Sequence, residues 1–382
     1  MPQRRYMVVD DRRDHSFRIP RPDESVRLGT PNTCASCHTK RSNAWAAAAV
    51  QKWYGPAAAA RRSFAVAFHA GRTQQPDGGA LLSALVADKR QPAIARATAV
   101  TLLGRYPSAR TNRVIDAAAQ DPEPLVRRAA AEALTSIGDP VSRARIGARL
   151  LADPIRAVRV DAVSALAGVP RTYFAAAQQQ AFDAAVTEFR EVQRSNADRA
   201  ESHVNLGTLE AQLGRPAEAE AALRVAIARQ PQFVPAYVNL ADVQRAAGRE
   251  PEAERVLRDA IAAVPEAADA YNALGLSLVR QQRLPEALDA LTRAAALAPY
   301  EPRFAYVLAV ALHDTGAIGR SVATPEAAHR RHPGDLDILR ALISYALESQ
   351  DIEKARQWAR RLNAIAPDDP LIAQLRQQRI LD

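Results

Sequence analysis

From Ala200 onward, apolar and small residues return with a period of 34. The segments HVNLG, YVNLA, YNALG, AYVLA and LRALI begin at 203, 237, 271, 305 and 339, and prolines follow at 231, 265, 299, 333 and 367. Within each period the apolar positions recur every three or four residues, which predicts two amphipathic helices per unit. Small residues sit where two helices must approach: Gly207, Ala241 and Gly275 in the first helix, then Ala219, Ala253 and Ala287, and Ala226, Ala260 and Ala294 in the second. The fourth unit departs from the pattern, with Ser321 and Pro325 in its second helix. Thr324-Pro325-Glu326 reads there as an N-cap, a first-turn proline and a first-turn acid, so that helix is expected to start late.

A second period of 32 lies upstream, in PAIARATAVTL (92–102), PLVRRAAAEAL (124–134) and RAVRVDAVSAL (156–166), with Asp121-Pro122 and Asp153-Pro154 just before the last two. The segment 181–194 carries Ala185, Phe189 and Val192 at the offsets of a repeat helix, so it joins the two arrays. The first 75 residues follow neither period. Prolines 20, 22 and 31 mark an extended loop, after which SNAWAAAAVQKWYG predicts a helix opened by Ser42 or Asn43 and stopped by Gly55-Pro56.

The five units over 200–369 resemble tetratricopeptide repeats, with 370–382 as a capping helix, and 76–172 resembles HEAT-like repeats, with 173–199 as a connecting helix. The expected fold is all-α: an α-solenoid of stacked helix pairs preceded by a small, loop-rich segment over 1–75.

Charge adds one distinction. Net charge is +9 over 382 residues, but residues 1–75 hold 13 Lys and Arg against 5 Asp and Glu, a net of +8. The arginines alternate with Pro and Asp and form no recognisable nucleic-acid module, so no nucleic acid is expected as partner. A basic rim facing an anionic group, an acidic protein or an anionic surface fits the bias. No window approaches the run of about eighteen apolar residues that a membrane span requires.

The chain's two cysteines lie three apart in TPNTCASCHTK, and His38 follows the second. A redox disulfide at this spacing belongs to a βαβ context. Structural zinc takes two such pairs, and two unrelated cysteines do not call for an adjacent histidine. Covalent haem attachment accounts for all three residues, with Cys34 and Cys37 bonded to the vinyl groups and His38 as proximal ligand. A distal ligand is then needed, and His15, His69, Met7 and His203 are candidates. The aromatics Trp45, Trp53, Tyr54 and Phe64 are expected to form the core of the small segment, or else to wall a haem edge.

The stretches YMVVDDRRDHSFRIPRPD, LGTPNTCASCHTK and WYGP, with two repeat arrays behind them, resemble bacterial multihaem c-type cytochromes that carry a C-terminal repeat solenoid. That resemblance implies one haem c here and more upstream in a longer protein, since the opening Met-Pro resembles an internal stretch of the family. It implies export to the periplasm and singles out the segment of His15, making His15 the distal ligand. The expected function is electron transfer, with the solenoid docking a protein partner, a redox partner among the candidates; the alternative is a non-redox scaffold whose Cys-x-x-Cys-His is unused or holds another metal. No nucleophile, paired-carboxylate site or phosphate loop points to an enzyme.

Overall fold

The computed structural model describes residues 3–6, 10–13, 20–56 and 63–381. The chain divides into two compact units, Met1–His69 and Ala70–Asp382.

In the first unit, strands Gln3–Tyr6 and Asp10–Arg13 pair antiparallel, with Gln3 opposite Arg13 and Tyr6 opposite Asp10. The stretch expected as an extended loop contains a helix, Pro22–Leu28. Pro22 needs no hydrogen bond in the first turn, Asp23 and Glu24 suit the helix N-terminus, and Arg21 pairs with both at 2.8 and 3.2 Å. Gly29, at φ +66°, ends it in the left-handed conformation glycine adopts without strain. Helix Asn43–Tyr54 starts and stops where its signals stand: Ser42 Oγ accepts from the Trp45 N–H at 3.2 Å, and Gly55 closes the far end.

The second unit is all helix and 3-10 turn among the described residues. Its first part pairs Gly78–Ala87 with Ala93–Leu103, Ala109–Ala118 with Pro124–Ala133, and Pro140–Gly147 with Arg156–Leu166. A ladder of arginines ties each layer to the next. Buried Arg96 reaches Asp121 at 2.5 Å, Arg127 reaches Asp153 at 2.5 and 3.0 Å, and Arg159 reaches Glu188 at 2.8 and 2.7 Å. Arg127 and Arg159 also donate to the backbone oxygens of Asp121 and Asp153. The Asp-Pro pairs are explained by this: each aspartate also accepts from the backbone N–H two residues on, Glu123 and Ile155. Glu188 lies on helix Ala176–Arg194, so the connecting helix is held by the same device. From that helix Arg190 grips Glu210 at 2.7 and 2.8 Å, which carries the ladder into the second array.

That array is strictly periodic. First helices start at Ala200, Val234, Ala268, Pro302 and Leu336, and second helices at Pro216, Glu250, Leu284, Ile318 and Ile352. Helix Pro370–Gln377 falls in the same register as a sixth first helix. At the closest crossing, size on one helix is balanced by size on the other. Gly207 faces Leu223 and Gly275 faces Leu291, where a Cβ on the glycine would lie 2.7 or 2.5 Å from the leucine Cγ. The corresponding residues are Ala241 and Leu257, Ala309 and Pro325, then Ile343 and Ala359. Close packing permits one large residue per crossing.

The fourth unit corrects the expectation of a late start. Helix Ile318–Arg331 begins in register and runs through Pro325. Thr324, expected to cap it, instead turns its hydroxyl back to the Arg320 carbonyl at 2.8 Å. Packing of the repeat overrides the local proline signal.

The second array also touches the first part of the unit. Asp368 Oδ2 accepts from the Ala109 N–H, at the start of helix Ala109–Ala118, at 2.6 Å. Gly334, one repeat earlier, lies so close to Gln74 that a Cβ there would stand 2.2 Å from the Gln74 Cβ.

Candidate functional site

Cys34, Cys37 and His38 do not lie on an open loop. A single-turn helix, Thr33–Cys37, carries both cysteines, and His38 is its C-cap, with its N–H bonded to the Cys34 oxygen at 2.8 Å. Asn32 starts this turn by accepting from the Ala35 N–H at 3.2 Å. Its amide nitrogen donates to Asn43 Oδ1 at 2.6 Å, and Asn43 donates to the Thr30 oxygen at 3.3 Å. The cysteine turn is thereby braced against the start of helix Asn43–Tyr54. Residues three apart on a helix share a face, so both sulfurs are presented to the same side.

Both cysteines are free thiols, Cys34 half-buried and Cys37 exposed. The exposed His38 ring leans on Trp45, with centroids 4.9 Å apart and planes at 57°. Arg41 covers Trp45 at 5.5 Å as a cation over a ring face. His38 is thus positioned through an indole held by the next helix. The braces Asn32 and Asn43 escape a motif search, although an asparagine ahead of a short turn is a capping signal.

The apolar interior around this turn is slight. Among the described residues of the unit, the buried apolar side chains are those of Pro22, Ala46 and Ala67. Trp53 is 68% exposed, Tyr54 67%, and Phe64 is exposed as well, while Trp45 is half-buried. The expectation that these aromatics form the core is therefore wrong for Trp53, Tyr54 and Phe64. Alanine-rich packing leaves them no interior to enter.

Of the other candidates, His15 and Met7 lie outside the described residues. His69 is half-buried on helix Ala65–Arg72. His203 commits Nε2 to the Ala197 oxygen at 2.9 Å, in the first repeat of the second array. Among the described residues no group of three or more His, Cys, Asp and Glu side chains gathers to hold a metal ion, and no helix is long and apolar enough to cross a membrane.

The fold defines the second unit as an α-solenoid of helical repeats. Residues 79–167 match the family of HEAT repeats, and residues 175–232, 238–302 and 273–324 match the tetratricopeptide repeat family. Among solved structures, the chain is similar to PilW, a widely conserved type IV pilus biogenesis factor, at 17% identity over 56% of this chain and 97% of that one, with a TM-score of 0.43. It is similar to pilF of Pseudomonas aeruginosa at 17% identity over 58% and 99%, TM-score 0.40. A third is YrrB, a TPR protein with an unusual peptide-binding site, at 21% identity over 49% and 96%, TM-score 0.37. No curated protein matched the chain. The repeats make the second unit a scaffold of the kind that serves protein–protein interaction.

Proposed function

We propose that the chain is a c-type cytochrome module for electron transfer, attached to a repeat scaffold that docks its protein partner. The observation that carries this reading is the pair of free thiols on one face of a braced turn, with His38 at its cap, in a unit whose described interior holds little but alanine. A small domain with so little apolar core needs another source of cohesion. A flat apolar group covalently held at Cys34 and Cys37 would supply it, and would give Trp53, Tyr54 and Phe64 a surface to cover. When bound, haem c supplies a reversible one-electron couple at iron. The protein's part is to hold two thioether sulfurs on one side and to offer His38 as proximal ligand with Trp45 setting its ring, within a segment, residues 1–75, of net charge +8. His15 remains our choice of distal ligand, a second imidazole favouring electron transfer over substrate turnover. The reading assigns the chain no catalysis and places its work in the periplasm, where haem is joined to such motifs. It extends to the resemblance to multihaem c-type cytochromes.

The test is expression with an export signal in cells that mature c-type cytochromes. One haem's mass should remain on the chain after denaturation. Cys34→Ala/Cys37→Ala should abolish it while the helical signal of the repeats persists. Failure of the parent chain to take up haem under those conditions would leave the plain interaction scaffold as the function.

A further inference from the structure

Where the second array meets the first part of its unit, the two border a cleft of about 760 Å³, a size typical of ligand sites, which run from about 300 to 1,000 Å³. One wall carries Arg72, at the end of helix Ala65–Arg72, and Arg105 of the HEAT region; the other comes from the end of the fourth tetratricopeptide unit, with Arg330, Arg331 and His332. Two basic residues at the end of a helix are ordinary, since they complement its dipole. Cations on both facing walls are not.

The cleft's lining holds two acids. Of its two acids, Asp335 is half-buried and spends Oδ1 on the Ile338 N–H at 2.9 Å as an N-cap, which leaves Glu301 as the other negative charge. Arg330 and Arg331 are exposed and form no ion pair among the described residues. His332 Nε2 is buried in the wall without a hydrogen-bond partner. At the rim Tyr300 stands 78% exposed. Gly334 against Gln74 fixes how closely the walls approach, because any side chain at 334 would drive them apart.

We propose that this cleft binds an acidic peptide segment of a partner protein in extended conformation. An extended chain turns successive side chains to opposite sides, so alternating carboxylates meet Arg72 and Arg105 on one side and Arg330 and Arg331 on the other. Arginine pairs with carboxylate through its planar fork, and the tyrosine covers the peptide where it leaves the cleft. The proposal deepens the docking role of the scaffold and rests on that reading, while haem plays no part in it.

Fluorescence anisotropy of a fluorescein-labelled oligoglutamate peptide, titrated with the full chain at low salt, tests it. Binding should saturate, weaken as salt is raised, and weaken about tenfold or more in Arg330→Ala/Arg331→Ala. The exposed pair Arg110→Ala/Arg113→Ala, outside the cleft, should leave it unchanged. Circular dichroism checks that both variants keep their helix. No binding, equal loss in both double variants, or tighter binding of a labelled oligothymidylate than of the peptide would each overturn the proposal. A chain that takes up haem and ignores the peptide defeats the cleft alone; one that binds the peptide without haem defeats only the cytochrome reading.

Discussion

Replacing Pro325 by leucine should stabilise the fourth tetratricopeptide unit. The helix Ile318–Arg331 carries this proline in its interior, where it forfeits a backbone N–H and crowds the preceding turn at a cost of about 3 kcal/mol. The same repeat position holds Leu223, Leu257 and Leu291, all buried. Its partner across the crossing is Ala309, and the Ala241–Leu257 pair two repeats earlier shows that leucine fits against alanine there. Allowing about 1–2 kcal/mol for imperfect repacking, the net gain is about 1–2 kcal/mol. Repeat arrays do not unfold in one step, so the assay is amide hydrogen exchange across 318–331, where protection should rise by roughly 5- to 30-fold. Leu291→Pro supplies the reverse comparison and should lose about 3 kcal/mol or more in the third unit. Unchanged or faster exchange in the Pro325→Leu variant would show that the proline is accommodated without cost, and the propensity argument would fail.

Removing Asp121 should be severe, because Arg96 would be left buried without its partner; about 3–5 kcal/mol is expected for Asp121→Ala, read as accelerated exchange in helix Ala93–Leu103, whereas Arg258→Gln, which removes an exposed partner of Glu254 and Glu286, should be far milder. Burial, with the charge of Arg361 nearby, holds His329 below the ordinary imidazole value, and its ring packs edge-on to Trp358 with Nδ1 unpartnered. The unfolded chain then takes the proton more readily than the folded one, so stability should fall as pH drops below about 6.5 toward the depressed folded value. Urea melts should show a shallower loss between pH 7.5 and 5 for His329→Ile, which places there the residue found at Ile227 and Ile261; an identical pH slope in parent and variant would refute the assignment.

The sequence by itself determined the repeat. A 34-residue recurrence of small and large apolar positions fixes helix pairs locally, since each helix buries one stripe against neighbours adjacent in the chain. Even the turn between paired helices is written there: residues 214, 248 and 316 are glycines at φ +73° to +77°, and glutamines 282 and 350 take φ +60° and +61° at the same position. The Cys-x-x-Cys-His motif was equally legible, being contiguous. What only the tertiary structure decided involves residues far apart or signals in conflict. Helix formation through Pro325 follows from the stacking of neighbouring repeats, which outweighs a local breaker. Trp53, Tyr54 and Phe64 look like a core in sequence and are exposed, because hydrophobic character states a preference for burial and not the presence of an interior to receive it. Asp368 meets Ala109 across 259 positions, and Gly334 meets Gln74, because each layer adds a small rotation to the one before. No local pattern encodes that sum, and the cleft it closes, with arginines on both walls, exists only in the folded array.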